Sequence, residues 1–263
     1  MGTPIRSRTI ICELRFVIDA VLENGVGRIT LNQPKVHNAL TRKGMTKIRS
    51  VLNEWTDSDI RVLVLTGTGK SFCSGVSLDD VADGDWSDNP LTALCDAVEN
   101  FHVPTICTLN GGVYGGGVEL ALSCDFRVGV TGMKMFVPAV KIGVHYDAVG
   151  IARFVQKIGP QATRRVFLLG EKFDDQDLVD IGFLDFLVPP DKLPTKTAAL
   201  VNTINSAAPL AVQGMKRTIL EISRETLDDK TAAKRSARCF ASDDHREGLA
   251  ALAENRDPVF KGR

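Results

Sequence analysis

Thr105-Ile106-Cys107-Thr108-Leu109-Asn110-Gly111-Gly112-Val113-Tyr114-Gly115-Gly116-Gly117-Val118-Glu119-Leu120-Ala121 reads as a strand, a glycine-rich turn and the start of a helix near Val118. Three successive glycines cost chain entropy at a helix start, so a tight turn alone explains them poorly. Glycine lets backbone approach a ligand, and the free N–H groups and dipole of a helix N-terminus favour negative charge. No Lys-Ser/Thr pair follows and the glycines lack the GxGxxG spacing, which excludes both common nucleotide-phosphate loops.

A second glycine-bearing turn, Ser71-Phe72-Cys73-Ser74-Gly75-Val76, lies upstream, after the unbroken apolar run Val62-Leu63-Val64-Leu65-Thr66. That run predicts a strand buried on both faces. By itself the second turn is either a plain connection or a partner of the first, both aiming N–H groups at one developing oxyanion. Further back, Arg15–Asp19 and Val26–Leu31 are β-branched runs around Glu23-Asn24-Gly25, a hairpin signal. Leu40, Met45, Ile48, Val51, Leu52 and Trp55 recur at helical spacing after Thr41, an expected N-cap.

Asp79 to Pro90 is polar and reads as a mobile loop. Leu91–Asn100 reads as a helix, Phe126–Val130 as a strand, and Val149–Ile158, Ala162–Leu168 and Asp175–Ile181 as helices. Beyond Pro189-Pro190 the chain reads as all helical. Strands that alternate with helices predict an α/β fold, divided into a core over 1–190 and a helical module over 191–263.

Bulk properties narrow the function. The 263 residues are 44% hydrophobic and 24% charged, with 32 basic and 32 acidic side chains. No net field therefore draws the chain to nucleic acid or an anionic membrane. No apolar run is long enough to span a bilayer, and Met1–Ile10 lacks an apolar signal segment. Six cysteines without a CxxC pair suggest reduced, buried thiols rather than a disulfide framework, so the expected compartment is the cytoplasm. Cys73 is open to two readings, a nucleophile or a small buried residue, and no His is tied to it by sequence. The four histidines form no metal-ligand pattern; neither a metal nor a redox cofactor is expected.

The chain resembles the crotonase (enoyl-CoA hydratase/isomerase) superfamily over nearly its whole length. The carriers are Leu31–Leu40, Ser71–Gly75, Asn110–Ala121 with Cys124-Asp125, and the tail Ser242–Gly248 with Glu254–Gly262, in the family's order and spacing. The resemblance implies a spiral of ββα units with a C-terminal helical oligomerisation region, giving trimers or dimers of trimers. It implies an oxyanion hole from the amides of Ser74 and Gly116 for a thioester carbonyl. Coenzyme A enters as part of the substrate, along Lys35, Val36, His37 and Ser74. The resemblance also implies that Phe260 and Lys261 reach the nucleotide of coenzyme A on a neighbouring subunit; for Lys261 the alternative is a solvated tail charge.

In hydratases of this family two glutamates share the acid/base work. Glu119 occupies the first position, but Pro138-Ala139-Val140-Lys141-Ile142-Gly143 has alanine at the second, and alanine cannot transfer a proton. Beyond Ala139 stand His145, Tyr146 and Asp147; several members that depart from hydration place a working aspartate at about that position. Asp147 is expected to replace the missing carboxylate, with His145 or Tyr146 nearby; it is also a natural N-cap for a helix starting near Ala148. Double-bond isomerisation ranks first, hydration second, and C–C hydrolysis or decarboxylation third. An acyl group on a carrier protein and a catalytically silent acyl-CoA-binding member remain as alternatives. Ser77, where many members carry Asp, is a second departure.

Overall fold

Asn24 and Gly25 both adopt positive φ, 51° and 77°, the two-residue turn whose twist suits a hairpin. They join β1 (Ile18–Glu23) to the antiparallel β2 (Val26–Leu31), with Glu23 opposite Val26. The structure, a computed structural model, describes residues 18–82 and 87–263; the expected strand residues Arg15–Val17 lie outside them, as does Cys12. After β2 the chain runs through α1 (Arg42–Trp55), where Thr41 Oγ1 accepts from the Gly44 N–H as the expected N-cap. Met45, Ile48, Leu52 and Trp55 turn inward from α1 at helical spacing.

Three turns of the chain then follow one plan. The first holds β3 (Val62–Gly67), β4 (Ser71–Cys73), α2 (Leu78–Ala82) and α3 (Pro90–Glu99). The second holds β5 (Thr105–Leu109), β6 (Gly112–Tyr114) and α4 (Gly116–Leu122). The third holds β7 (Phe126–Val130), β8 (Met135–Phe136) and α5 (Ala148–Leu169). The first strand of each turn joins a six-stranded sheet in the order β1-β2-β3-β5-β7-β10, where β10 is Phe186–Val188. The second joins a four-stranded sheet in the order β4-β6-β8-β9, where β9 is Lys172–Phe173. Apart from the β1/β2 hairpin and the β8/β9 pair the strands are parallel, so each turn climbs one step. This is the expected α/β spiral of ββα units. The unbroken apolarity of β3 has its cause here: Val62, Leu63, Val64 and Leu65 are covered on both faces.

The polar stretch after Asp79 differs from its expectation as a loop, because Leu78–Ala82 forms α2 and Pro90 opens α3; residues 83–86 lie outside the described part. The helices expected over Val149–Ile158 and Ala162–Leu168 are both present within α5, separated by a kink at Gly159, whose φ of 76° and ψ of 164° are non-helical. Pro160, with no N–H to bond backwards, follows it. Then come α6 (Asp175–Asp180), β10 and four helices, α7 (Leu193–Asn205), α8 (Pro209–Ser223), α9 (Asp229–Phe240) and α10 (Asp243–Glu254). α7 lies on the larger sheet through Leu193, Thr197 and Val201, with the Thr197 hydroxyl 3.3 Å from that of Thr108. By contrast, α8 and α10 leave Met215, Ile219, Leu249 and Leu252 exposed. Among the described residues no helix is long and apolar enough to cross a membrane.

Candidate active site

Gly116 is the first residue of α4, so its N–H has no acceptor within the helix. No hydrogen bond to it from elsewhere exists among the described residues. Gly75, at φ +94°, brings the preceding glycine turn so close that a Cβ there would sit 3.0 Å from the Gly116 nitrogen and 2.9 Å from the Tyr114 carbonyl oxygen. Only glycine allows this approach.

The expected Ser74 amide is not the second free donor. The Ser74 N–H donates to the His37 carbonyl at 2.9 Å, because the chain leaving β4 still runs beside the His37–Leu40 segment. Two residues on, Val76 bridges Leu40, but the bonds of that bridge are Leu40 N–H to Gly75 O and Ser77 N–H to Leu40 O. The Val76 N–H is left without a partner among the described residues. Its side chain abuts Gly116: a Cβ on Gly116 would lie 3.1 Å from Val76 Cγ2. Ser74 is still at the site, lining the cavity and donating its hydroxyl to Val36 O at 3.2 Å.

A cavity of about 410 Å³ opens beside these turns. Its wall contains Ser74, Val76, Gly116, Glu119, His145, Tyr146 and Asp147 together with Ala139, so the fold gathers every expected catalytic residue around one space. The rest of the lining is mostly apolar and includes Leu78, Val81, Leu91, Ile142 and Val144. The expected coenzyme A residues divide. Lys35, Val36 and His37 are exposed on a tight helical turn that reaches the cavity through Ser74. Phe260 and Lys261 sit apart, on the tail that folds across the start of α10. There Asp244 accepts from the Lys261 and Gly262 N–H groups at 2.6 and 2.8 Å, and Phe260 O accepts from Arg61.

Glu119 is one turn into α4 from Gly116 and only 1% exposed. Its Oε1 accepts from Arg153 Nη1 at 2.5 Å; no hydrogen bond reaches Oε2 among the described residues. Burial raises its carboxyl to about 7, although Arg153 pulls the other way; the negative charges of Asp147 and Asp96 add to the rise. Asp147 is an N-cap as well as a wall residue. Its Oδ1 accepts from the Gly150 N–H at 2.6 Å, and its Oδ2 accepts from Asn89 Nδ2 and the Thr92 hydroxyl. Three donors thus occupy most of the lone pairs of the carboxylate expected to replace Ala139's missing acid. Gly150 lies between the two acids: a Cβ on it would meet Asp147 Oδ1 at 3.1 Å and both Glu119 oxygens at 3.2 Å.

The Tyr146 ring packs against Phe167 and Phe154 at centroid distances of 4.8 and 6.2 Å, and burial pushes its phenol well up. It stays neutral near pH 7 and serves as a wall or a donor rather than a base. His145 is exposed at the rim. Cys73 is fully buried with its thiol raised to about 12, which argues for the apolar reading over the nucleophile. Tyr114 folds back on its own strand, its hydroxyl 2.3 Å from where a Gly112 Cβ would be. Among the described residues no cluster of His, Cys, Asp and Glu is arranged to hold a metal ion.

The Glu119 carboxyl makes stability depend on pH. It titrates near 4.5 in an unfolded chain and near 7 in the folded one, so between these values the folded state binds more protons. Its contribution is complete below 4.5 and is lost as pH rises through 7. Relative to Glu119→Gln, which stays neutral, the native chain is expected to lose about 3 kcal/mol of unfolding free energy between pH 4.5 and 8. Urea midpoints of both proteins across that range measure it; a constant difference would contradict the assigned proton affinity.

Residues 22–263 match the family model for enoyl-CoA hydratase/isomerase, and the chain belongs to that family. It is similar to carnitinyl-CoA dehydratase from Citrobacter koseri, 30% identical with 89% of this chain and 94% of the relative covered. It is similar also to 2,3-dehydroadipyl-CoA hydratase from Escherichia coli K12, 28% identical over 89% and 94%. Among solved structures, an enoyl-CoA hydratase/carnithine racemase from Magnetospirillum magneticum superposes with a TM-score of 0.89 at 27% identity, covering 94% of this chain and 96% of that one.

Sequence reasoning missed Val76, Arg153 and Asn89. Val76 had a signal in its place just after a glycine that must take positive φ. Arg153 had none, since an arginine on an amphipathic helix normally reads as solvated.

Proposed function

We propose that this chain is an acyl-CoA enzyme that shifts a carbon–carbon double bond using one proton-carrying carboxylate, Glu119. The Val76 and Gly116 amides hold the thioester oxygen. The observation that carries this reading is the Glu119 carboxyl, raised to about 7, with one oxygen held and, among the described residues, the other unbonded on the wall of the same cavity as two unpartnered amides. A base with such a proton affinity is half ionised near neutral pH, where proton transfer in both directions is efficient.

In the step, ionised Glu119 removes a proton from the carbon flanking the double bond. The electron pair moves through the conjugated system to the thioester oxygen, where the two amides meet its negative charge. Protonated Glu119 then returns the proton at the far end of the dienolate as the pair flows back. No atom enters or leaves, so the second carboxylate absent at Ala139 is not required. Asp147, fixed by three donors, lies near Glu119, and its negative charge raises the proton affinity of Glu119. Lys35, Val36 and His37 line the approach of the coenzyme A portion, and the apolar wall receives the acyl chain. The exposed apolar side chains of α8 and α10 support association of copies through the helical region.

The test is a panel of 3-enoyl-CoA thioesters, followed by the growth of thioester-conjugation absorbance. Accumulation of the 2-enoyl thioester supports the reading. Consumption of 2-enoyl thioester into a hydroxyacyl product, or binding without any turnover, overturns it. Asp147→Asn separates the roles of the two acids. It is expected to cost about 1 kcal/mol of stability, since an amide nitrogen cannot accept from Asn89 and Thr92. Turnover should stay within about tenfold of native, below the span expected for loss of a general acid or base. A hundredfold loss in that variant would make Asp147 a second proton carrier.

A further inference from the structure

The three nitrogens of the Arg153 guanidinium each meet a different carboxylate. Nη1 donates to Glu119 Oε1 at 2.5 Å, Nη2 to Asp96 Oδ1 at 2.7 Å and Nε to Glu99 Oε2 at 3.2 Å. Arg153 is 2% exposed and Glu99 4%, while Asp96 is half open to solvent. Arg224, just beyond α8, reaches the same Glu99 Oε2 at 2.5 Å. Among the described residues Glu99 Oε1 is buried without a partner. The arginine is thus fixed from three directions, and more negative than positive charge surrounds it.

We propose that Arg153 is a positioning residue for the proton transfer: it pins Glu119 Oε1, leaving Oε2 for the substrate. Asp96 and Glu99 set how much of its charge Glu119 receives. The proposal deepens the isomerase reading and rests on it only for the part Glu119 plays. The fork geometry matters, because a lysine at this position meets one carboxylate at a time where arginine meets three. Titratable groups facing Glu119 are Arg153 and Asp147 at the start of α5, Tyr146 and His145 just ahead of it, and Cys95, Asp96 and Glu99 on α3. Arg153 is the one guanidinium in that set. The raised carboxyl of Glu119 is the balance this set leaves: burial and two acids against one guanidinium.

Two variants pull in opposite directions. Arg153→Gln removes the cation, so Glu119 should titrate about 1–3 pH units higher, with the acid limb of kcat/KM moving the same way. Asp96→Asn removes a half-exposed anion, leaves the buried ion pairs in place and should move the titration down. The titration is read on protein labelled with 13C at glutamate Cδ, with Glu119→Gln identifying the resonance. It needs no substrate, so it decides the positioning claim even if no thioester is turned over. Should Arg153→Gln not fold, the downward move in Asp96→Asn is the remaining test. The proposal is overturned if Asp96→Asn leaves the Glu119 titration unmoved or raises it. It is equally overturned if folded Arg153→Gln loses activity evenly at every pH with no movement of the resonance.

Discussion

Glu119→Gln is expected to lower turnover of an enoyl-CoA thioester by about 10²- to 10⁴-fold, the range for removal of a positioned acid/base. Binding of the thioester should change little. Glutamine has nearly the shape of glutamate and can still accept from Arg153 Nη1, so the wall of the cavity is preserved. The guanidinium keeps Asp96 and Glu99 as partners and is not left unpaired. What disappears is the capacity to take a proton. Native turnover should also rise through an apparent pKa near 7 as Glu119 ionises, a limb absent from the residual rate of the variant. Steady-state rates from pH 5 to 9 check both points. A variant within threefold of native would remove Glu119 from the chemistry.

The second large effect concerns a main-chain atom. Val76→Pro deletes one N–H, and a loss of about 10²- to 10³-fold in kcat is expected if that N–H meets the developing oxyanion. Proline is a sharp probe here because, among the described residues, the Val76 N–H has no structural bond to lose. The bridge to Leu40 is carried by Gly75 O and Ser77 N–H, both of which survive. Val76→Ala, which keeps the amide and trims the side chain against Gly116, serves as the control and should stay within about tenfold of native, on the scale of trimming apolar contact. If proline and alanine had equal effects, the amide would have no part in the reaction.

The general plan was legible because it depends on periodicity. Val62–Leu65 announced a doubly covered strand, Asn24-Gly25 a hairpin, and Met45, Ile48 and Leu52 an inward helix face, all of which the fold contains. The short strands β4, β6, β8 and β9 were not legible, since two or three residues cannot establish a period. The same limit explains why the sequence alone points to a free amide at Ser74 rather than at Val76. Whether an amide is free depends on where a ladder ends, and Ser74 is still bonded to His37 while Val76 is not. Tertiary pairing decides such facts. The Arg153 cluster belongs with them, because it joins α3, α4 and α5, whose approach no local pattern encodes.

Asp147 joins two things that are usually separate in a binding pocket. It caps α5 through Gly150, and it tethers Asn89 and Thr92, where the chain enters α3 at the cavity edge. The tether uses Oδ2 and the cap Oδ1, so one carboxylate ties the entry to α3 to the first turn of α5, the helix that carries the arginine bonded to Glu119. A single carboxylate therefore acts as a rivet between two walls of the cavity.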